Sequence, residues 1–470
     1  MSRPIGPARK GSTRPPQRPS TQQPPTPDPA RQAALDLLRA VREDGAYANL
    51  ALPKILNDRR IYGRDAGLAT ELAYGTCRAM GLLDAILAQG SGRPLAELDG
   101  AVHDALRLGA YQLLRTRIPA HAAVSATVNL VRTGPKPGAA GFVNAVLRRV
   151  SEREEGEWVD LLAPPIATDP IGHYAMQTAH PRWIAEAIND ALGAESDELL
   201  EALTADDQRP QVHLVARPGR ISVADLVIES VGELARYSPY GVYLPDGDPG
   251  RLRAVATGLA GVQDEGSQLV ALALINAEIE GPDSRWLDLA AGPGGKAAVI
   301  GALAAERGAQ VDAIEITPHR AELVRQAVAG LPVKVHVADG RSTTLPPETY
   351  DRVLLDAPCT GLGALRRRPE ARWRRSPASV AELVELQTEL LISAAALVRP
   401  GGLIGYVTCS PHLAETADIV AARPAGLDLV DARPYLPGVP KLGAGPTVQL
   451  WPHRQGTDAM FLAIMRKSVR

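Results

Sequence analysis

The chain contains little cysteine and no long apolar run. Its 470 residues include only Cys77, Cys359 and Cys409, which are too widely spaced for a disulfide framework and form no Cys-x-x-Cys motif, so we expect a reducing, cytoplasmic setting. No stretch of about 18 apolar residues is present, so no membrane span is predicted. The N-terminus lacks the apolar segment of a secretory signal.

The chain also lacks an excess of charge of either sign. Its formal net charge is −2, which argues against a protein that coats nucleic acid uniformly. Lysine occurs at only seven positions, and arginine supplies the other basic side chains. Because guanidinium groups suit bidentate phosphate contacts and stacking on bases, local arginine clusters carry more information than the total charge.

Composition and periodicity divide the chain into segments. Residues 1–30 contain nine prolines and almost no large apolar side chain, which predicts a disordered tail. Residues 31–150 carry helical repeats of apolar residues, such as Ala34, Leu37, Leu38 and Val41. We expect a polar, proline-containing linker at 151–175 and a small α+β module at 176–256.

Residues 257–470 alternate between strand and helix patterns, which predicts an α/β domain with a parallel, doubly wound sheet. Ligands bind such sheets beyond the carboxyl ends of the strands. Five predicted strands end in polar or thiol side chains, and these should converge at one edge; they are Asp288, Glu315, Asp339, Asp356 with Cys359, and Cys409.

The loop Ala290–Lys296, "AAGPGGK", lets backbone approach a ligand closely because three of its residues are glycine. It matches neither the P-loop nor the dinucleotide-binding pattern. Glu315, about twenty residues further on, could accept hydrogen bonds from ribose hydroxyls. An adenosine-containing ligand without a pyrophosphate fits both features, although a purely structural turn explains the glycines equally well.

The segment Arg366–Arg375 holds six arginines, one acid (Glu370) and Trp373. A basic loop beside the expected active edge could contact a phosphate backbone, with Trp373 either stacking on a base or anchoring the loop.

Several of these motifs together resemble the Sun/Fmu family of RNA (cytosine-5) methyltransferases, which use S-adenosylmethionine. The resemblance rests on "DLAAGPGGK", "DAPCTGLGALRRRPEARW", "YVTCS" and "PHRQGTDAMFLA", with "HPRW" and "QDEGSQLVA" in the connecting region. The N-terminal segment, especially "GFVNAVLRR", resembles the NusB-like RNA-binding domain of bacterial 16S rRNA members. The resemblance implies a Rossmann-like class I methyltransferase domain, an RNA substrate (16S rRNA by domain order), and neither metal nor membrane.

The resemblance also implies residue roles. Cys409 would attack C6 of the cytosine, which makes C5 nucleophilic, and Cys359 would assist proton removal and release. Asp356 would bond the N3/N4 edge of the base with help from Lys296. The residues implied to hold S-adenosylmethionine are Ala290, Ala291, Gly292, Pro293, Gly294, Gly295, Lys296, Glu315, Asp339 and Asp356.

Three alternatives remain open at this point. The chain could be a DNA-type cytosine methyltransferase with Cys359 as nucleophile, or a noncatalytic RNA-binding or assembly factor. The two cysteines could also form a redox pair.

Overall fold

The structure, a computed structural model, describes residues 28–245 and 247–469. The tail predicted for residues 1–30 therefore lies almost wholly outside the described residues. Its last two residues are helical, because the first helix begins at Pro29 and is capped by the Asp28 side chain, which accepts a hydrogen bond from the Arg31 N–H.

The N-terminal part is a helical domain around one apolar core. Leu37 and Leu38 of the predicted stripe are fully buried in it, as is Cys77, whose pKa burial raises to about 12. Cys77 is therefore a structural thiol. The helices are α1 (Pro29–Glu43), α2 (Ala48–Asp58), α3 (Gly63–Ser91), α4 (Gly100–Arg115), α5 (Ala120–Thr133) and α6 (Ala140–Val150).

The segment 151–175 was expected to be a linker, and that expectation is wrong. It contains α7 (Glu155–Leu162) and the start of α8 (Pro170–Gln177). A capping box between Glu154 and Glu157 begins α7, and Trp158 and Val159 on its inner face are buried in the core of the helical domain. The polar composition obscured two apolar residues that are enough to dock this short helix.

Two more helices, α9 (Arg182–Leu192) and α10 (Leu199–Asp207), lead into a small module. Its four strands form an antiparallel sheet in the order β2-β3-β1-β4. Because β4 pairs with β1, this sheet extends past residue 256, the expected end of the module. Its elements are β1 (Val212–Ala216), α11 (Val223–Ser230), β2 (Glu233–Leu234), β3 (Gly241–Leu244), α12 (Arg253–Ala256) and β4 (Ala260–Val262).

The C-terminal domain is built on a larger sheet, preceded by α13 (Glu265–Asn276). The first half alternates as predicted: β5 (Arg285–Asp288), α14 (Gly295–Arg307), β6 (Gln310–Glu315), α15 (Pro318–Ala327), β7 (Val333–Val337) and β8 (Tyr350–Asp356). The remainder comprises α16 (Ala371–Arg374), α17 (Pro377–Leu397), β9 (Val398–Thr408), α18 (Ala417–Ala421), β10 (Leu427–Val430), β11 (Val448–Gln449), α19 (Pro452–Gln455) and β12 (Phe461–Lys467).

The strand order is β10-β12-β9-β8-β5-β6-β7, with β11 beside β12. The five strands from β5 to β9 run parallel, whereas β12 is antiparallel to both β9 and β10. The sheet is therefore mixed, and the expectation of a wholly parallel sheet is wrong at this edge. The last strand enters the sheet between β10 and β9 after a connection that contains β11 and the four-residue helix α19. In the described residues, every helix is too short or too polar to cross a membrane.

Candidate active site

The glycine-rich loop joins β5 to α14 at the carboxyl edge of the sheet. The Ala291 N–H donates to the Ile314 carbonyl at 2.8 Å, which ties the loop to β6. Ala290 is half-buried, whereas Pro293 is exposed. Gly294 has φ 109° and is followed directly by α14 at Gly295; a side chain would be strained at this turn.

Glu315, at the end of β6, lies against this loop. A methyl group on Gly292 would stand 2.0 Å from Glu315 Oε2, so a larger residue there would displace the carboxylate. The Thr317 N–H donates to Glu315 Oε1 at 2.8 Å, and Arg320 lies 3.6 Å from the other oxygen. The predicted glycine loop and acid therefore meet.

Asp339 lies two residues past Val337, which pairs in register with Glu315. Its carboxylate accepts hydrogen bonds from the Arg341 backbone N–H at 2.9 Å and from the guanidinium Nη2 at 2.7 Å. The hydrogen bond to the Arg341 side chain holds the pKa of Asp339 below its ordinary value. Asp339 is thus an ionised, oriented carboxylate at the same edge.

Lys296 and Asp356 form an ion pair at the centre of the edge, with Nζ and Oδ2 2.8 Å apart. Burial disfavours the charged lysine, but Asp356 outweighs it and raises the pKa of Lys296. Asp288 beneath them is fully buried, and neither of its carboxyl oxygens has a hydrogen-bond partner among the described residues. Burial, with repulsion from Asp356, raises the pKa of Asp288 to about 7.

The two cysteines meet because β8 and β9 are parallel neighbours. Asp356 pairs in register with Val407, so Cys359 and Cys409 leave adjacent strand ends, and their Sγ atoms are 3.4 Å apart as free thiols. The hydrogen bond donated by Cys359 lowers the pKa of Cys409 below that of an ordinary thiol, aided by Lys296 and Arg368 against burial and Asp356. That hydrogen bond, burial and nearby carboxylates raise the pKa of Cys359. Cys409 is therefore the more readily ionised thiol.

The Glu415 carboxylate is hydrogen-bonded to both segments that carry the cysteines. It is fully buried and accepts hydrogen bonds from the Thr360 N–H at 2.7 Å, from the Thr360 hydroxyl, and from the Ser410 hydroxyl at 2.6 Å. Gln387 of α17 donates to the same carboxylate at 3.2 Å and to the Pro358 carbonyl at 2.9 Å. Residues adjacent to both cysteines are thus fixed by one carboxylate.

Known proteins share this arrangement of domains. A family model described as 16S rRNA methyltransferase RsmB/F matches residues 275–466, and a NusB family model matches residues 28–152. A Mycobacterium tuberculosis protein, provisionally named a methyltransferase, is 57% identical over 94% of this chain and 97% of its own. Ribosomal RNA small subunit methyltransferase B of Pseudomonas putida is 36% identical over 83% of this chain and 88% of its own. The chain belongs to the 16S rRNA methyltransferase RsmB/F family.

Solved structures share the fold. The crystal structure of PH0851 superposes with a TM-score of 0.78 at 23% identity, covering 94% of this chain and 99% of that one. NSun6 from Pyrococcus horikoshii, solved with SFG, gives a TM-score of 0.52 at 19% identity over 62% of this chain and 99% of its own. The predictions of a methyltransferase and of a NusB-like helical domain are confirmed, and the noncatalytic alternative is set aside.

In this RsmB/F-family chain, the arginine-rich segment is mainly an internal contact rather than a free basic loop. Arg372 is fully buried, where its guanidinium contacts Asp207 at 3.3 Å and donates to the Asp206 carbonyl at 2.8 Å. Trp373 donates from its indole N–H to the Cys77 carbonyl at 2.8 Å. A methyl group on Gly81 would lie 2.2 Å from the indole ring, so the ring packs directly on α3.

Two further arginines of the segment, Arg366 and Arg367, bind Asp458 and Asp264 inside the protein. The prediction that this segment holds a phosphate backbone is therefore wrong for these side chains, since their hydrogen-bonding groups already have partners. Trp373 anchors the segment, which was one of its two predicted roles. A charge run indicates hydrogen-bonding capacity but does not reveal whether the partner is solvent, nucleic acid or the protein itself.

Glu415 and Gln387 were missed as site residues by the sequence reasoning. Gln387 lies among other polar residues of α17 in "ELVELQTELL", and Glu415 follows Cys409 by six residues in the polar segment "SPHLAETAD". Neither residue stands out from its neighbours in the sequence, and only the fold brings both side chains close to the segments that carry the cysteines.

Proposed function

We propose that this methyltransferase transfers a methyl group from S-adenosylmethionine to C5 of a cytosine in RNA, with 16S rRNA as the substrate. The observation that carries the proposal is the Cys359–Cys409 contact of 3.4 Å beside the Lys296–Asp356 ion pair. The name of the Pseudomonas putida relative, a small-subunit rRNA methyltransferase, supports the substrate.

S-adenosylmethionine fits the edge formed by the glycine loop and the acids. Because Gly292 has no side chain, the Glu315 carboxylate can lie directly against the loop. The Thr317 N–H orients this carboxylate, which can accept hydrogen bonds from ribose hydroxyls. The exposed Gly295 begins α14, where free N–H groups are available. The cofactor supplies an electrophilic methyl group on a positively charged sulfur.

Each of the site residues has its own role in the reaction of the cytosine base. Cys409, as the more acidic thiol, adds to C6, so that electron density reaches C5. Asp356, held by Lys296, bonds the N3/N4 edge of the cytosine. After C5 is methylated, its proton must leave before the Cys409–C6 bond can break. Cys359 assists this step by first releasing its own thiol proton to solvent; the resulting thiolate takes the C5 proton, and Cys409 then leaves C6 as a thiolate.

The competing assignment makes Cys359 the nucleophile, as in DNA-type enzymes. The pKa directions argue against it, since the hydrogen bond between the two thiols raises the pKa of Cys359 and lowers that of Cys409. Asp356 disfavours a thiolate at both positions, but Glu415 adds to this at Cys359, whereas Lys296 and Arg368 favour a thiolate at Cys409.

The test compares wild type, Cys409→Ala and Cys359→Ala on small-subunit rRNA with S-adenosylmethionine. We expect Cys409→Ala to abolish methyl transfer and Cys359→Ala to accumulate an RNA adduct that survives a denaturing gel. Cys77→Ala is the matched control, because that thiol lies in the helical core. The reverse pattern would move the nucleophile to Cys359, and a wild type inactive on RNA but active on DNA would refute the substrate.

A further inference from the structure

The helical domain carries a polar groove between α5 and α6. It has a volume of about 370 Å³, and Val124 and Val128 form its buried floor. Its polar lining residues come from α5, α6 and the residue after α6, and all except the half-buried Asn144 are exposed; they are His121, Ser125, Arg132, Asn144, Arg148 and Ser151.

The groove lies in a stretch without acidic residues. No Asp or Glu occurs between Ala105 and Ser151, although the chain has 53 acids and a net charge of −2. Basic residues in the last turn of a helix complement its dipole, which accounts for one or two arginines. The dipole does not account for the absence of carboxylates across both helices and their connections.

In the described part of the chain, the two arginines of the groove have no carboxylate partner, whereas several arginines elsewhere in the domain do. Arg42 is paired with Asp104, Arg107 with Asp84, and Arg115 with Glu155 and Asp207. In contrast, Arg132 and Arg148 make no ion pair within residues 28–245 and 247–469. Both side chains are exposed, so their guanidinium groups are available to an anion from outside.

We propose that the α5–α6 groove binds the phosphate backbone of the RNA that carries the target cytosine. The proposal rests on the proposed function for the identity of the nucleic acid. Arg132 and Arg148 suit bidentate phosphate contacts, while the Ser125 hydroxyl and the Asn144 amide can donate to phosphate or 2′-hydroxyl oxygens. The Ser151 hydroxyl donates to the Arg148 carbonyl at 2.7 Å. Among the lining residues of the groove, only His121 carries an aromatic ring, and contacts to phosphate carry no information about the base, so we expect binding there to be independent of sequence.

The experiment uses the full chain with both arginines changed, Arg132→Gln and Arg148→Gln. Steady-state methylation of small-subunit rRNA is measured at several salt concentrations. We expect KM to rise about fivefold or more with kcat within about twofold, and the slope of log affinity against log salt to become shallower by about one to two. The control is Arg64→Gln, an exposed arginine of the same domain outside the groove, which should leave all three quantities unchanged.

The outcomes separate this proposal from the proposed function. If wild type methylates RNA and the double variant keeps its KM and salt slope, the groove does not bind RNA. A defect with the ribosomal particle but none with naked rRNA would assign the groove to a protein partner and overturn the proposal. A wild type inactive on every RNA would instead refute the proposed function. In that case the RNA affinity of the double variant, measured directly against that of the wild type, would still test whether the groove binds RNA.

Discussion

The Glu415 carboxylate provides the sharpest test of how the two cysteines are positioned. Glu415→Ala removes an acceptor from the Thr360 N–H, which is buried and has no way to redirect its bond. The Thr360 and Ser410 hydroxyls can turn to one another, since their oxygens are 3.2 Å apart. The variant loses the hydrogen bonds to the Glu415 carboxylate and leaves the buried Thr360 N–H without an acceptor. Together these losses should lower the free energy of unfolding by about 3–5 kcal/mol.

Glu415→Gln keeps the size and shape of the side chain but removes its charge, so it measures the contribution of the charge alone. The amide oxygen can still accept from the Thr360 N–H, and the amide N–H groups can donate to the two hydroxyl oxygens once these rotate. The remaining loss is that of charge-assisted bonds becoming neutral ones, about 1–2 kcal/mol. Urea unfolding measures both variants. Glu382→Ala, an exposed acid on α17, is the control and should change stability by less than about 0.5 kcal/mol.

The same variants report on function through the cysteine geometry. We expect the rate of RNA adduct formation to fall in the order wild type, Gln, Ala, with S-adenosylmethionine affinity unchanged, because Glu415 contacts the segments on either side of the cysteines rather than the glycine loop. An Ala variant that loses stability but forms adduct at the wild-type rate would refute the positioning role. An Ala variant that loses less than about 1 kcal/mol would refute the energetic argument.

Three further predictions follow from the site. Glu315→Ala should weaken S-adenosylmethionine binding by about 10- to 100-fold, as a lost charged hydrogen bond implies, and calorimetry should show no change if the assignment is wrong. Cys359→Ala removes the hydrogen bond that lowers the pKa of Cys409, so the pH profile of adduct formation should move to higher pH; an unmoved or lowered profile would contradict this. Asp288 has a folded pKa of about 7 against an ordinary 3.8; the folded state therefore binds more protons between these values, and stability falls as pH rises through that window. Relative to wild type, Asp288→Asn should gain stability between pH 5 and pH 8 in urea midpoints, and a constant difference would refute the raised pKa.

The sequence was informative where one physical constraint dominates. Buried parallel strands require near-continuous apolar runs, so β5, β6, β8 and β9 were recognisable, and their polar ends could be placed at one edge from the sequence alone. That Glu315, Asp356 and Cys409 converge followed from this placement, whereas the roles of Lys296, Asp356 and the two cysteines were implied by the family resemblance.

The sequence was uninformative where the partner is distant along the chain. Glu415 contacts Thr360 across 55 positions, and Trp373 contacts Cys77 across 296; neither spacing leaves a periodic signal. The reversed direction of β12 depends on the length and path of its connection, which apolar patterning does not encode. The docking of α7 was hidden because two buried residues are too few to outweigh a polar composition.

The docking of Trp373 and Arg372 has a consequence for how this protein can be divided. The chain that leaves Cys359 reaches α3 within fifteen residues, so the catalytic half contributes part of the interface that covers the helical half. Separating the catalytic half from the helical half would expose the indole ring of Trp373 and leave the buried guanidinium of Arg372 without some of its partners. The halves are therefore not interchangeable modules, and a chimera with the helical half of a relative should need Gly81 or an equally small residue opposite the indole.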